Sequence, residues 1–205
     1  KDVIEIKKHL PDMEIEIFVH GSMCFAYSGR CLVSAVQMGR VPNRGSCAND
    51  CRFEYTLYAA NEDHSTLFRL EEEPGVGTYI FNSKDMNLAS HIKEIMDSGA
   101  VDSLKIEGRT KSPYYAAVTA KAYRHAIDDY YADTFEASKY QRELYTTKNR
   151  GFTDAYLIHR PFEKTDSQNH EYALSKGSYE VTGLVTEDEE HFLCKYKVYP
   201  NEDIE

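Results

Sequence analysis

Apolar residues along the 205-residue chain fall into two rhythms. One alternates in twos: EIEIFVHG (14–21) reads as a strand closing on Gly21, and VDSLKIEG (101–108) reads as another. EYTLYAA (54–60) is a third strand candidate, and LEEEPGVGTYIFNS (70–83) reads as a hairpin or loop. The other rhythm returns every three to four residues. DMNLASHIKEIMDSG (85–99) sets Leu88, Ile92, Ile95 and Met96 on one face, with an Asp or Asn cap before them and Gly99 after, and predicts a helix. SPYYAAVTAKAYRHAIDDYYAD (112–133) predicts a longer one, capped by Ser112 with Pro113 in its first turn. The opening DVIEIKKHL (2–10) has Val3, Ile4, Ile6 and Leu10 among charges. It reads as the middle or end of an amphipathic helix, so the chain is expected to be a fragment.

Helix, strand and helix in alternation imply an α/β fold with a parallel sheet, whose functional residues sit on the loops after the strands. From about 178 the pattern changes. SYEVTGLV (178–185) and HFLCKYKVY (191–199) alternate across acidic turn residues, which predicts the start of a small antiparallel β module. The expected division is therefore 1–160 for the α/β part and 161–205 for a linker and this module.

Composition changes the picture in two places. No apolar run reaches the roughly 20 residues of a membrane span, and no charged-then-apolar leader opens the chain, so a cytoplasmic protein is expected. The net charge of -10 disfavours a protein that grips nucleic acid over its whole surface. The charge is uneven, however: residues 20–58 carry a net +2 and residues 102–125 a net +3. Both stretches are candidates for an anionic ligand, whereas the acidic TEDEEH of the tail reads as a solvated face.

Four of the five cysteines, Cys24, Cys31, Cys47 and Cys51, lie in one glycine-broken stretch. A disulfide framework suits a small secreted chain and does not fit this size. Zinc sites pair close cysteines twice, and only Cys47 and Cys51 have that spacing. Irregular spacing of four thiols suits an iron-sulfur cluster; zinc held by all four, or unrelated cysteines, stay open on spacing alone. Gly21, Gly29, Gly39 and Gly45 would let the backbone approach a bulky group.

FVHGSMC, SGRCLVS, GRVPNRGSCANDCR, LKIEGRTKSPYY and NRGF, in that order, resemble peptidase family U32, the collagenase-like proteins. The similarity runs from about 14 to 160, and the tail resembles the β module that follows the barrel in members. The family's C-x6-C-x15-C-x3-C pattern falls on Cys24, Cys31, Cys47 and Cys51. One departure is local: members similar to this chain usually read Gln-Pro where Asn49 and Asp50 stand. The resemblance implies the C-terminal part of a TIM-like barrel, lacking its early strands, so that an N-terminal half or a partner chain completes it. It implies a 4Fe-4S cluster on the four cysteines, with zinc as the alternative. Its implied activities divide between proteolysis and oxygen-independent hydroxylation of a tRNA uridine, of ribosomal RNA or of a quinone ring. The motifs are closest to the tRNA branch, whose implied partners are tRNA, a small anionic hydroxyl donor similar to prephenate, and a redox partner. The sequence holds neither HExxH nor GxSxG, which weighs against hydrolysis. A non-catalytic cluster-binding partner subunit is the third reading.

Glu107 and Arg109 close a predicted barrel strand, at the end where such folds do chemistry. Arginine there can hold a carboxylate or phosphate bidentately, and glutamate can orient it or move a proton; a structural ion pair is the competing role. Arg44, beside Cys47, and Lys105 are further substrate-binding candidates. His20 is expected to be a hydrogen-bonded structural histidine and His125 a helix-surface one. The sixteen tyrosines are expected mainly in core and interface roles.

Overall fold

The computed structural model describes residues 1–24, 26, 30–53, 55, 58–60, 67–69, 83–109, 111–158, 169, 175, 177–179, 181–188, 190–195, 197 and 199. In chain order the elements are α1 (Asp2–His9), β1 (Glu16–Ser22), α2 (Val33–Met38), β2 (Tyr58–Ala60), β3 (Leu67–Arg69), β4 (Asp85–Asn87), α3 (Ile92–Asp97), β5 (Ser103–Ile106), α4 (Pro113–Tyr131), α5 (Ala137–Tyr145), β6 (Phe152–Thr153), α6 (Ala155–Ile158), β7 (Gly183–Val185) and β8 (Phe192–Cys194). Short 3-10 turns cover Pro42–Arg44, Asp50–Arg52 and Ala89–His91.

The central sheet runs in the order β5-β1-β4-β6. β1 pairs in parallel with β5, and β4 with β6, but β1 and β4 are antiparallel. The expected α/β class with parallel pairing therefore holds, while the sheet is mixed and no closed barrel forms among the described residues. β2 and β3 form a two-stranded antiparallel sheet, and so do β7 and β8, as the alternation in the tail predicts.

Helices cover one face of the central sheet. Ile17 and Val19 of β1, with Leu104 and Ile106 of β5, pack against Leu88, Ile92 and Ile95, against Ala122, Tyr123 and Ala126 of α4, and against Tyr140 and Leu144 of α5. Each large apolar side chain buried here contributes about 1.5–3 kcal/mol. Glu16, Phe18, Ser103 and Lys105 alternate onto the opposite, exposed face. Tyr123 threads the core: its hydroxyl donates to Val19 O (2.7 Å) and accepts from Leu88 N–H (3.0 Å), joining α4 to β1 and to the end of β4.

α4 begins as its sequence dictates. Ser112 Oγ accepts the Tyr115 N–H at 3.2 Å, with Pro113 at the first helical position. The stretch 85–99 departs from expectation, because Asp85 to Asn87 form a strand before a 3-10 turn and only then α3. Asp85 is not a cap; its buried carboxylate is taken by Arg150, and its backbone pairs opposite Ser22. Asn87 Oδ1 accepts Ala89 N–H at 3.0 Å and turns the chain toward the helix. Gly99 closes the segment at φ +59°, as expected. Of the two remaining expectations, EYTLYAA contributes β2 from its described residues, and the stretch 70–82 lies outside the described residues.

Candidate functional site

The C-terminal ends of β1 and β5 meet where β4 and β6 begin. Gly21 makes this junction tight. At φ +129° it faces Glu107 so closely that a Cβ would lie 2.5 Å from Glu107 O. Just before it, the β1–β5 register shifts between Phe18 and His20, so that Val19 and His20 are both buried. The chain then leaves β1 directly into the cysteine loop.

The loop and the end of β5 touch. Gly45, at φ +77°, lies beneath the Arg109 guanidinium, and a Cβ there would meet Nη1 at 2.9 Å. Arg109 is thereby brought onto the Arg44–Cys47 segment. Glu107 Oε1 accepts the Arg109 N–H at 3.1 Å, and Glu107 N–H donates to His20 O at 2.8 Å. Among the described residues no carboxylate pairs with either the Arg109 or the Arg44 guanidinium. Lys105 does not join them: its ammonium pairs with Glu16 at 3.5 Å and lies over the Phe18 ring, on the exposed face of the sheet.

All four loop cysteines are free thiols. Cys24 and Cys47 are exposed, Cys31 and Cys51 half-buried. Burial pushes the Cys51 thiol up, Arg52 opposes this, and Cys24 and Cys47 add to it, so three of the four thiols share one electrostatic neighbourhood. Arg52 also donates to Met23 O at 3.0 Å, tying the last turn of the loop to its first residue. Asn49 takes a left-handed conformation, and its N–H donates to Cys47 Sγ at 3.3 Å. Both carboxylate oxygens of Asp50, which lies between Cys47 and Cys51 in sequence, are buried without a hydrogen-bond partner among the described residues. No three Cys, His, Asp or Glu side chains close on one point at ligand distance among the described residues. Four thiols are nevertheless the donor type that a soft metal centre takes.

A second constellation was not legible in the sequence. Asp85, 2% exposed, receives the Arg150 guanidinium and the Arg150 N–H (3.3 Å to Oδ2). Arg150 Nε donates to Ser83 O at 3.1 Å, and Asn169 donates to Arg150 O at 2.7 Å. Burial pushes the Asp85 carboxyl up, and Lys111, Arg52 and a hydrogen bond from Ser22 offset only part of that. Lys111 stands 3.8 Å from Asp85 Oδ2 and 5.2 Å over the Tyr115 ring. Burial, with Asp85 and Glu107 nearby, pushes the Tyr115 phenol up. His20 sits among Tyr115, Tyr123 and Phe152, and burial with Lys111 pushes its imidazole down to about 3. Arg150 belongs to NRGF and Lys111 to LKIEGRTKSPYY, so both lie in motifs that resemble the family although neither carries an assigned role. His125 is exposed on α4, as expected.

Comparison with known proteins places this geometry in context. The model of "Peptidase family U32" matches residues 1–167. The chain is 62% identical to "tRNA hydroxylation protein P" of Helicobacter pylori, over 98% of this chain and 47% of that protein. It is 40% identical to the protein of the same name from Escherichia coli, over 85% and 46%. It is 35% identical to a "Collagenase" of Porphyromonas gingivalis, over 71% and 34%. The chain thus spans about half the length, or less, of these curated relatives. No solved structure matches it. With a family model covering most of its residues, including the whole cysteine loop, β5 and α4, the chain belongs to peptidase family U32.

Proposed function

We propose that this chain is part of an enzyme that hydroxylates a tRNA uridine without oxygen, using an iron-sulfur cluster. The observation that carries the reading is the 62% identity to a protein named for tRNA hydroxylation across almost the whole chain, cysteine loop included. The collagenase relative is less similar and covers less of the chain. A TIM-like barrel completed by an N-terminal half belongs to the same reading. Its support is the exposed sheet face of Glu16, Phe18, Ser103 and Lys105, together with relatives about twice as long.

Cys24, Cys31, Cys47 and Cys51 would hold the 4Fe-4S cluster, and a bound cluster would supply one-electron redox chemistry. Zinc is the alternative occupant for the same thiols. The chain's own residues do the rest. Arg109, seated on Gly45, and Arg44, three residues before Cys47, offer guanidinium groups with no carboxylate partner among the described residues to a carboxylate or phosphate. Glu107 fixes the Arg109 backbone through Oε1 and is placed to take or give a proton at the same mouth. Lys105 is directed away and is the weakest of the substrate-binding candidates. The small anion would be the hydroxyl donor, similar to prephenate, with a redox partner supplying electrons.

Proteolysis needs an activated nucleophile. Cys51 is half-buried with its thiol pushed up, the opposite of activation, and His20 is enclosed by aromatic rings, meeting the Tyr123 phenol at 3.4 Å but no thiol and no serine or threonine hydroxyl among the described residues. Among the described residues no helix is long and apolar enough to cross a membrane. The test is mass spectrometry of tRNA nucleosides from a strain lacking the gene, before and after complementation. Loss and restoration of a hydroxyuridine derivative is the expected result. Identical nucleosides in deletion and parent strains, with no redundant enzyme present, would refute the tRNA reading.

A further inference from the structure

Arg52 is the half-buried cation of the cysteine loop. Arg30, Arg40, Arg44 and Arg109 are all exposed, so water screens their charge, whereas Arg52 follows Cys51 directly and is partly withdrawn from solvent. Its Nη2 donates to Met23 O at 3.0 Å. Met23 is 8% exposed; it follows Ser22, which pairs opposite Asp85, and it precedes Cys24. One guanidinium thus reaches from the last of the four loop cysteines to the residue before the first, at the end of β1. Its positive charge acts on the Cys51 sulfur and on the Asp85 carboxyl alike.

That position leaves donors to spare. A guanidinium carries five N–H groups, and Met23 O is the one oxygen that takes a bond from the Arg52 side chain among the described residues. Asp85, the carboxylate within its field, is already met by Arg150. Sulfur is the remaining acceptor at hand. Four thiolates around one metal leave the centre net negative, and outer donors to its ligands orient and tune such a centre.

We propose that Arg52 is a positioning residue for the metal centre: it clasps the two ends of the cysteine loop through Met23 O and donates a further N–H to the Cys51 thiolate once a metal is bound there. The inference rests on the reading of Cys24, Cys31, Cys47 and Cys51 as ligands, and it holds for iron and zinc alike.

The test is anaerobic titration of the metal-free full-length protein with Co2+, whose thiolate complexes absorb visible light, in the parent and in Arg52→Met, Arg52→Lys and Arg40→Met. Losing an outer partner of a ligand costs about 10–100-fold in metal affinity, which is the loss expected for Arg52→Met. Arg52→Lys keeps the charge and a donor and should recover most of it. Arg40→Met, exposed and bonded instead to Ser46 Oγ at 3.3 Å, should bind as the parent does. In iron-loaded protein Arg52→Met should also have a lower reduction potential, because N–H bonds to sulfur and a nearby cation favour the more negative reduced state; a residue that only braced the loop would leave the potential where it is. Parental cobalt affinity in Arg52→Met, equal losses in Arg52→Met and Arg52→Lys, or an unshifted potential would each overturn the role. No cobalt bound by the parent would overturn the ligand reading and the Arg52 role with it. Cobalt affinities in the expected order, in a protein that proves not to hydroxylate tRNA, would sustain Arg52 while the reaction fell.

Discussion

Replacing Arg150 by Met isolates the electrostatics at the heart of the second constellation. In the native protein the Asp85 carboxylate is 2% exposed and is met by the Arg150 guanidinium, with Lys111 farther off at 3.8 Å. Removing one partner of a buried pair leaves an uncompensated charge, which costs about 3–5 kcal/mol. Lys111 remains and offsets part of that, while Ser83 O loses the 3.1 Å bond from Nε, so a loss near the lower end, about 3 kcal/mol, is expected. The pH dependence has a definite sign. Without Arg150, the folded-state pKa of Asp85, already raised by burial, rises further above its unfolded value of about 3.9. The folded state then binds more protons than the unfolded one, so the variant loses stability as pH rises above about 4. The parent shows the same fall in smaller measure, because the cations around Asp85 offset part of the burial. Urea unfolding followed by circular dichroism at pH 4 and pH 7.5 reads both quantities. A loss below about 1 kcal/mol, or a loss equal at the two pH values, would refute this account of the pair.

Three other substitutions probe separate joints. Gly45→Ala puts a methyl 2.9 Å from Arg109 Nη1 at a φ of +77°; it should cost about 1–2 kcal/mol and lower hydroxylated nucleoside with iron content retained, as measured in cells and by metal analysis. Tyr123→Phe removes the hydroxyl from Val19 O and Leu88 N–H, which stay bonded to each other at 2.9 Å, and should cost about 1 kcal/mol in chemical unfolding, with little change in helix content. Ser112→Ala removes the α4 cap and should cost about 1 kcal/mol by the same assay.

What the sequence makes legible is local. Ser112 and Pro113 mark the start of α4 because a capping hydroxyl and a fixed φ act within one turn, and both are found there. Alternation locates β1, β5, β7 and β8 for the same reason. The stretch 85–99 misleads because Asp85 has the chemistry of a helix cap, while the group that takes its carboxylate lies 65 residues onward in NRGF. The contact of Arg109 with Gly45 was foreshadowed only as positive charge on both segments. The company of His20, Asp85, Lys111 and Arg150 depends on which strands lie side by side, and no periodicity encodes strand order. Lys105 shows the converse limit: two residues from Glu107, its ammonium pairs with Glu16 rather than with the cysteine loop.

The central claim joins the cysteine loop to RNA chemistry, and one variant tests that joint. Cys47→Ala in the full-length protein, expressed in the deletion strain, should lose bound iron and hydroxylated uridine together while the protein remains folded by circular dichroism. Hydroxyuridine at parental levels in bulk tRNA from the Cys47→Ala strain, with iron absent from the purified protein, would contradict it.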